Sequence, residues 1–305
     1  GCECVAAQAS MTGLSISVIT PSFNQGRFIR RTIDSVLTQN VTNLEYLVFD
    51  GASTDETNSI LAEYEGRLSA VSERDNGQAD AVNKGLRAAT GDIIGWLNSD
   101  DVYYPDALPR VLSAFSEHPD VDVIYGEADH IDEYDQILEP YPTEPFDYER
   151  LKNVCFICQP ALFFRRSVVD RFGALQVSLR YALDFEYWLR ILRDHPPLFL
   201  RHKLAGSRLY PENKTLGSKD GVHREIVEML ASKFDSPPAR WVYNLAHVIV
   251  RERGLTRDTR EQDKAFVGAL AEASEEAFIR YGGRIPESER ETLDAWRAYA
   301  SRRWW

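Results

Sequence analysis

Residues 78–101, QADAVNKGLRAATGDIIGWLNSDD, read as a helix, a break, a strand and an acidic turn. Ala79, Val82, Leu86 and Ala89 fall at the spacing of one helix face. Gly91 breaks that pattern, and Asp92 to Leu97 is an apolar run of strand length. Asp100 and Asp101 then stand side by side in the turn Asn98-Ser99-Asp100-Asp101. Adjacent carboxylates on a turn are costly unless a cation sits between them, and Mg2+ or Mn2+ suits a shell of carboxylate and phosphate oxygens. A solvated turn that caps the next helix explains the same residues equally well.

The upstream sequence repeats the unit. Leu14 to Thr20 (LSISVIT) predicts a first strand, Glu45 to Phe49 a second and Leu68 to Ser72 a third. Between them, Phe28, Ile29, Ile33, Val36 and Leu37 recur at helical spacing, and a further helix is expected through Tyr64. Ser22 with Gln25, and Ser53 with Glu56, have the spacing of capping boxes. The order β-α-β-α-β-α-β predicts an α/β fold with a mainly parallel central sheet flanked by helices. Ligands of such sheets bind beyond the carboxyl ends of the strands. Those ends carry Thr20-Pro21-Ser22, Asp50-Gly51, Glu73 to Gly77 and Asn98 to Asp101. A sheet edge this acidic suggests a metal ion or a polyhydroxylated ligand.

Downstream, Leu108, Val111, Leu112 and Phe115 predict a helix near Pro105, bent or late-starting because of Pro109. Strands are expected at Val121 to Tyr125 and Ala161 to Phe164, with loop or hairpin over Asp129 to Glu149. Asp184 to Arg193 reads as a helix with Phe185, Trp188, Leu189 and Leu192 inward. The chain changes character at Ser236-Pro237-Pro238, which predicts an α/β domain over 14–235 and a helical C-terminal appendage over 236–305.

The 305 residues are 44% hydrophobic, enough for a packed core. A net charge of −12 argues against a nucleic-acid partner, though not against a single nucleotide. No apolar run approaches the roughly 18–20 residues that span a bilayer, and Gly1 to Thr12 lack the basic start and apolar stretch of a signal peptide. The expectation is a cytoplasmic protein. Cys2, Cys4, Cys155 and Cys158 have spacings seen at zinc sites. The apolar setting VCFIC favours buried free thiols instead.

PSFNQGRFIRRTIDSVLTQ (21–39), FDGASTDET (49–57), SERDNGQADAVNKGLRAATGD (72–92) and GWLNSDDVYYP (95–105) resemble, in order and spacing, the inverting family 2 glycosyltransferases of the GT-A fold. QPALFFRR (159–166) and YALDFEYWLRI (181–191) look like that family's acceptor-side and catalytic-helix segments. The resemblance covers roughly residues 14 to 216, and linked motifs in order are far more specific than one short pattern. It implies a nucleotide-sugar-binding fold. Thr20, Pro21 and Ser22 would border the nucleotide, and Asp50 would accept a hydrogen bond from the base, most often uracil. Glu73, Arg74 and Asp75 would line the same cleft, with Asn83 and Lys84 behind them, although a lone lysine is commonly a surface residue. The family's Asp-x-Asp motif appears as Asn98-Ser99-Asp100. Asp100 would carry Mg2+ or Mn2+, Asp101 would orient it or touch the donor sugar, and Asn98 with Ser99 would meet donor hydroxyls.

The same resemblance makes Asp184 the catalytic base, where a helix start favours its charge, and Glu186 a weaker candidate. Capping that helix is the alternative role for Asp184. In GSRLYPENKT (206–215), Arg208 and Lys214 would pair with phosphate oxygens, a charged mobile loop being the alternative, and Tyr210 stands where histidine is frequent. The implied reaction is a metal-dependent, inverting transfer of a sugar from a nucleoside-diphosphate sugar, with UDP favoured, to a glycan or lipid-linked hydroxyl acceptor, as in bacterial cell-surface polysaccharide or glycolipid assembly. A catalytically silent nucleotide- or glycan-binding module is the competing reading. A sugar nucleotidyltransferase or a dinucleotide oxidoreductase is disfavoured, because TPSFNQGRF lacks a Gly-rich phosphate loop. In the tail, Trp241, Val242, Leu245, Val248 and Ile249 recur at helical spacing, before Arg302-Arg303-Trp304-Trp305. The stripe suits packing on the domain or in a homo-oligomer, or peripheral contact with the inner face of the membrane.

Overall fold

The computed structural model describes residues 13–211 and 219–302. Strands β1 (Ile16–Ser22), β2 (Leu44–Asp50), β3 (Ser69–Ser72) and β4 (Ile93–Trp96) alternate with helices α1 (Ile29–Leu37), α2 (Thr57–Ala62) and α3 (Gln78–Ala88). Their ladders are all parallel, with Ser22 beside Asp50 and Asp50 beside Ser72. The register therefore lines these three residues up along one edge. β1 and β4 are buried throughout, as strands covered on both faces must be. Val18 joins the core beneath Ile29, Ile33 and Val36 of α1. Ile19 points to the other face, where α3 lies so close that a Cβ on Gly85 would sit 2.3 Å from its Cγ2.

The second half is mixed rather than parallel. Its elements are β5 (Val102–Tyr103), α4 (Ala107–Glu117), β6 (Val123–Ile131), β7 (Ile137–Pro140), α5 (Tyr148–Asn153), a 3-10 turn (Gln159–Ala161), β8 (Leu162–Arg165), α6 (Ser167–Phe172), α7 (Leu183–Ile191) and β9 (Leu198–Arg208). The sheet order is β3-β2-β1-β4-β8-β6-β9-β5, with β7 beside β6. β8 runs antiparallel to both β4 and β6, β5 to β9 and β7 to β6, while β6 and β9 are parallel. The expectation of a mainly parallel sheet thus holds for β3-β2-β1-β4. β8 begins at the edge where β4 ends, so it can enter the sheet only in the opposite direction.

Neither expected capping box in this half of the chain forms. Helix α1 starts at Ile29, and the Ser22 hydroxyl is buried without a hydrogen-bond partner. Helix α2 starts at Thr57, and Ser53 turns its hydroxyl to Asp50 instead. Pro109 behaves as expected: α4 begins at Ala107, which places the proline in the first turn, where its missing N–H costs no helical bond.

Helices α8 (Lys219–Lys233), α9 (Ala239–Glu252), α10 (Arg260–Gly282) and α11 (Glu287–Ser301) make the remainder helical. The chain divides into compact units between Tyr210 and Pro211, so α8, expected within 14–235, groups with the later helices. Val242, Leu245, Ala246 and Val250 of α9 are buried, and Val242, Ala246 and Val250 pack in clusters with Phe266, Leu270, Phe278 and Leu293. Burying each large apolar side chain contributes about 1.5–3 kcal/mol. α10 begins with a capping box, Thr259 with Gln262. Among the described residues no helix is long and apolar enough to cross a membrane.

Candidate active site

The turn 98–101 lies just past β4, and elements distant in sequence hold it. Thr32, on the inward face of α1, donates its hydroxyl to the carbonyls of Ser99 (2.9 Å) and Asp101 (2.7 Å). A threonine at an inward helix position is the signal in the sequence for such a role. Asn98 is wholly engaged. Its Oδ1 accepts from Gln78 Nε2 (2.8 Å) and Trp96 Nε1 (3.0 Å), and its Nδ2 donates to Gln159 Oε1 (2.9 Å). Gln159 in turn donates to the Trp96 carbonyl. Asn98 and the buried Ser99 therefore shape the turn rather than present side chains to a ligand.

The end of β9 completes the turn. The Arg208 backbone N–H donates to Asp101 Oδ1 (2.8 Å), and its Nε donates to the Asp100 carbonyl (2.6 Å). The rest of the guanidinium donates to the Asp132 carbonyl and to Asp135, and lies 4.8 Å from the Phe28 ring centroid. Arg208 is 2% exposed, so its expected phosphate contact is replaced by a brace between the acidic turn and the β6–β7 turn. Tyr210 Oη donates to Asp100 Oδ2 (2.9 Å) and accepts from Gln25 Nε2 (3.3 Å), with its ring 4.9 Å from that of Phe28. Burial is the main cause that pushes the Asp101 carboxyl well above the usual carboxylate range, and the neighbouring charge of Asp100 adds to it. Burial and the contact with Asp100 likewise raise the Tyr210 phenol.

Along the β1–β3 edge, Asp50 is 2% exposed. Its carboxylate accepts from the Ser53 N–H (2.8 Å), the Ser53 hydroxyl and the Ser72 hydroxyl (2.6 Å). Asp75 lies against Gly51, where a Cβ would come within 2.9 Å of its carboxylate, and it accepts from the Gly77 N–H at 2.9 Å. Pro21 and Ser22 reach this edge at the end of β1. Thr20 does not: its hydroxyl is buried against Tyr46 Oη at 3.1 Å. Lys84 pairs with Glu73 at 2.8 Å and reaches the Arg74 carbonyl at 3.4 Å. That hydrogen bond to Glu73 raises the Lys84 pKa, and it ties α3 to the segment after β3. Asn83 is turned away from the edge, exchanging two 2.9 Å hydrogen bonds with the Leu175 backbone.

Asp184 is the second residue of α7, and its Oδ1 accepts from the Phe185 N–H at 2.8 Å. Burial raises the pKa of the Cys158 thiol, and the charges of Asp101, Cys155 and Asp184 add to the rise. Tyr141, which donates to the Cys155 carbonyl at 3.2 Å, also feels Asp184. Trp96, two residues before the turn, packs on Trp188 of α7 with ring centroids 6.4 Å apart, which ties that helix to the end of β4. Glu186 is fully buried, salt-bridged to Arg190 at 2.9 Å, and so serves the packing of α7. Cys155 and Cys158 are free thiols. Lys214, Asn213, Cys2, Cys4 and the final two tryptophans lie outside the described residues.

Among the described residues no three His, Cys, Asp or Glu side chains form a metal cage. The turn nevertheless suits a hard cation of the kind that takes one or two carboxylates and completes its shell with phosphate oxygens and water. Asp101 buried beside Asp100 carries a like-charge cost that a cation would relieve.

A mixed sheet flanked by helices, with its acidic strand ends gathered at one edge, is an α/β fold with a ligand-binding edge at the carboxyl ends of its strands. Residues 17–173 match Glycosyl transferase family 2, and the chain belongs to that family. It is 27% identical over 213 residues to an uncharacterised glycosyltransferase of Rickettsia typhi, covering 66% of this chain and 65% of that relative's length. A PGL/p-HBAD biosynthesis glycosyltransferase of Mycobacterium bovis is 30% identical over 200 residues, 63% of this chain and 75% of the relative. Residues 1–349 of S. aureus TarS, solved with UDP-GlcNAc, share the fold with a TM-score of 0.62 at 18% identity, covering 94% of this chain and 88% of that one. The mannosyltransferase PcManGT of Pyrobaculum calidifontis, solved with GDP-Man and Mn2+, gives 0.57 at 16% identity, covering 98% and 93%.

Proposed function

We propose that this chain is a metal-dependent, inverting glycosyltransferase that moves a sugar from a nucleoside-diphosphate sugar, UDP-linked by preference, to a hydroxyl acceptor. The observation that supports the reading is the acidic turn Asp100-Asp101 at the end of β4, with the Asp184 helix packed beside it through Trp96 and Trp188, next to an edge lined by Asp50 and Asp75. Transfer to a hydroxyl requires a nucleotide site and a carboxylate that can take the acceptor's proton, and Asp184 at the start of α7 is our candidate for the second.

We assign the roles on the family resemblance and on what each side chain can still accept or donate. Asp50 offers about four acceptor positions, three of them filled by Ser53 and Ser72, which leaves capacity for an N–H of the base. Pro21, Ser22 and Asp75 border the nucleotide. Asp100 would hold Mg2+ or Mn2+ together with the donor's diphosphate, and that cation would supply charge neutralisation to the leaving group. Asp184 accepts the proton of the acceptor hydroxyl. The hydroxyl oxygen forms its bond to the anomeric carbon from the face opposite the nucleotide, and the bond to the diphosphate oxygen breaks with its electron pair. One displacement inverts the anomeric configuration and needs no covalent enzyme intermediate. The acceptor class we assign is a cell-surface polysaccharide or glycolipid precursor, in keeping with the name of the Mycobacterium relative.

Nucleotide release from UDP-GlcNAc and GDP-mannose, followed with and without Mn2+ in wild type and Asp184→Asn, tests the reading. Metal-dependent release that the variant loses supports it. The internal use of Asn98 by Gln78, Trp96 and Gln159 favours the competing silent binding module. Nucleotide binding without release from either donor would select that alternative.

A further inference from the structure

We infer that Tyr210 is a positioning residue for the metal-carrying carboxylate Asp100, an inference that rests on the proposed role of Asp100. Tyr210 is the last residue of the α/β unit and is only 8% exposed. Its phenol donates to Asp100 Oδ2 at 2.9 Å, and Gln25 Nε2 donates to the same phenol at 3.3 Å. The relay Gln25–Tyr210–Asp100 runs in one direction, so the phenolic proton is committed to the carboxylate. Its ring is held as well as its hydroxyl, with the Phe28 ring at 4.9 Å. Phe28 in turn lies among the guanidiniums of Arg27 (4.9 Å), Arg31 (5.5 Å) and Arg208 (4.8 Å). Arg31 and Arg208 both reach Asp135, and Arg208 also holds the Asp100 carbonyl. The backbone and the side chain of Asp100 are therefore fixed by neighbouring residues of one strand end.

The chemistry of such a contact is known in kind. A carboxylate that ligates a cation is oriented by a hydrogen bond from outside the coordination shell, and removing that bond typically weakens metal binding by about 10–100-fold. A phenol is suited to the task, because its hydroxyl donates one directed bond to the carboxylate. Tyr210 does not contact the sugar or the base in this account. It acts through Asp100.

Mn2+ binding in the presence of UDP or GDP, followed by electron paramagnetic resonance, provides the test in wild type, Tyr210→Phe and Asp100→Ala. Phenylalanine keeps the ring against Phe28 and removes only the hydroxyl. The expected result is a 10–100-fold rise in the Mn2+ Kd for Tyr210→Phe, loss of binding in Asp100→Ala, and a metal-free unfolding midpoint for Tyr210→Phe close to that of wild type. Equal or tighter Mn2+ binding by Tyr210→Phe, with Asp100→Ala still deficient, overturns the positioning role alone. Mn2+ binding retained in Asp100→Ala, or absent from the wild type with both nucleotides, overturns the metal role of Asp100 and this inference with it.

Discussion

The two ends of the candidate site are built by different means. Along β1–β3, the carboxylates are held from no further away than the next strand: Asp50 by Ser53 and by Ser72 of β3, Asp75 by the Gly77 N–H. At the turn 98–101, the partners come from far away: Thr32 from α1, Gln159 before β8, Arg208 and Tyr210 at the end of β9. The β1–β3 edge is therefore assembled from neighbouring strands of the parallel half. The acidic turn depends instead on the sheet having closed through β9. Changes at β9 should therefore reach the chemistry, while comparable changes near β3 should not.

The largest expected effect lies beyond either end, at the proposed base Asp184. Asp184→Asn should lower kcat by about 100- to 10,000-fold, the usual contribution of general-base catalysis, with UDP binding unchanged in calorimetry. A loss of nucleotide binding instead would place Asp184 on the nucleotide side of the comparison. Next is the non-local brace. Arg208→Ala should destabilise the α/β unit by about 1–3 kcal/mol, because it leaves the Asp100 and Asp132 carbonyls short of a buried donor. Urea unfolding measures this, and Mn2+ affinity should weaken in parallel. Lys84→Ala is the local counterpart. Its ion pair with the largely exposed Glu73 should leave the unfolding midpoint almost unmoved. A Lys84 effect as large as that of Arg208 would dissolve the distinction between the two ends.

The smallest effect is a pH dependence in the mixed half of the sheet. Burial holds the His130 imidazole below its ordinary pKa of 6.5, against the opposing pull of Glu139 and Asp129. A group depressed in the fold contributes stability above its unfolded pKa and loses it as pH falls through the folded value. His130→Gln should therefore track wild type above pH 6.5 and fall less steeply below it, in unfolding midpoints measured across that range. A difference at high pH that vanished on acidification would have the wrong sign.

The same division governs what the sequence revealed. The parallel strands β1–β4 and helix α3 announce themselves by period, because each is one local unit between clear breaks. Asp50, Asp75 and Asp100 were legible as strand-end acids for that reason. Strand β9 was not, since its exposed Arg201, His202 and Lys203 interrupt the apolar pattern and its pairing with β6 shifts register. Arg208 was consequently read as a loop cation, whereas the completed strand buries its guanidinium. Thr20 and Asn83 show the same limit at single-residue scale. Their positions in the motifs are clear from sequence, but the direction of the side chain is set by Tyr46 and Leu175 across the fold. The capping box at Ser53 fails because Ser53 has a better partner in Asp50 than the helix end provides, and the one at Ser22 fails because α1 starts only at Ile29.

Thermal unfolding with UDP and GDP, with and without Mn2+, on wild type and Asp100→Ala tests the central claim most directly. A nucleotide at about 100 times its Kd should stabilise the protein by about 2.7 kcal/mol. The account predicts a shift of that size with one nucleoside diphosphate, dependent on Mn2+ and lost in the variant. No shift with either nucleotide, or a shift that Asp100→Ala leaves intact, would contradict it.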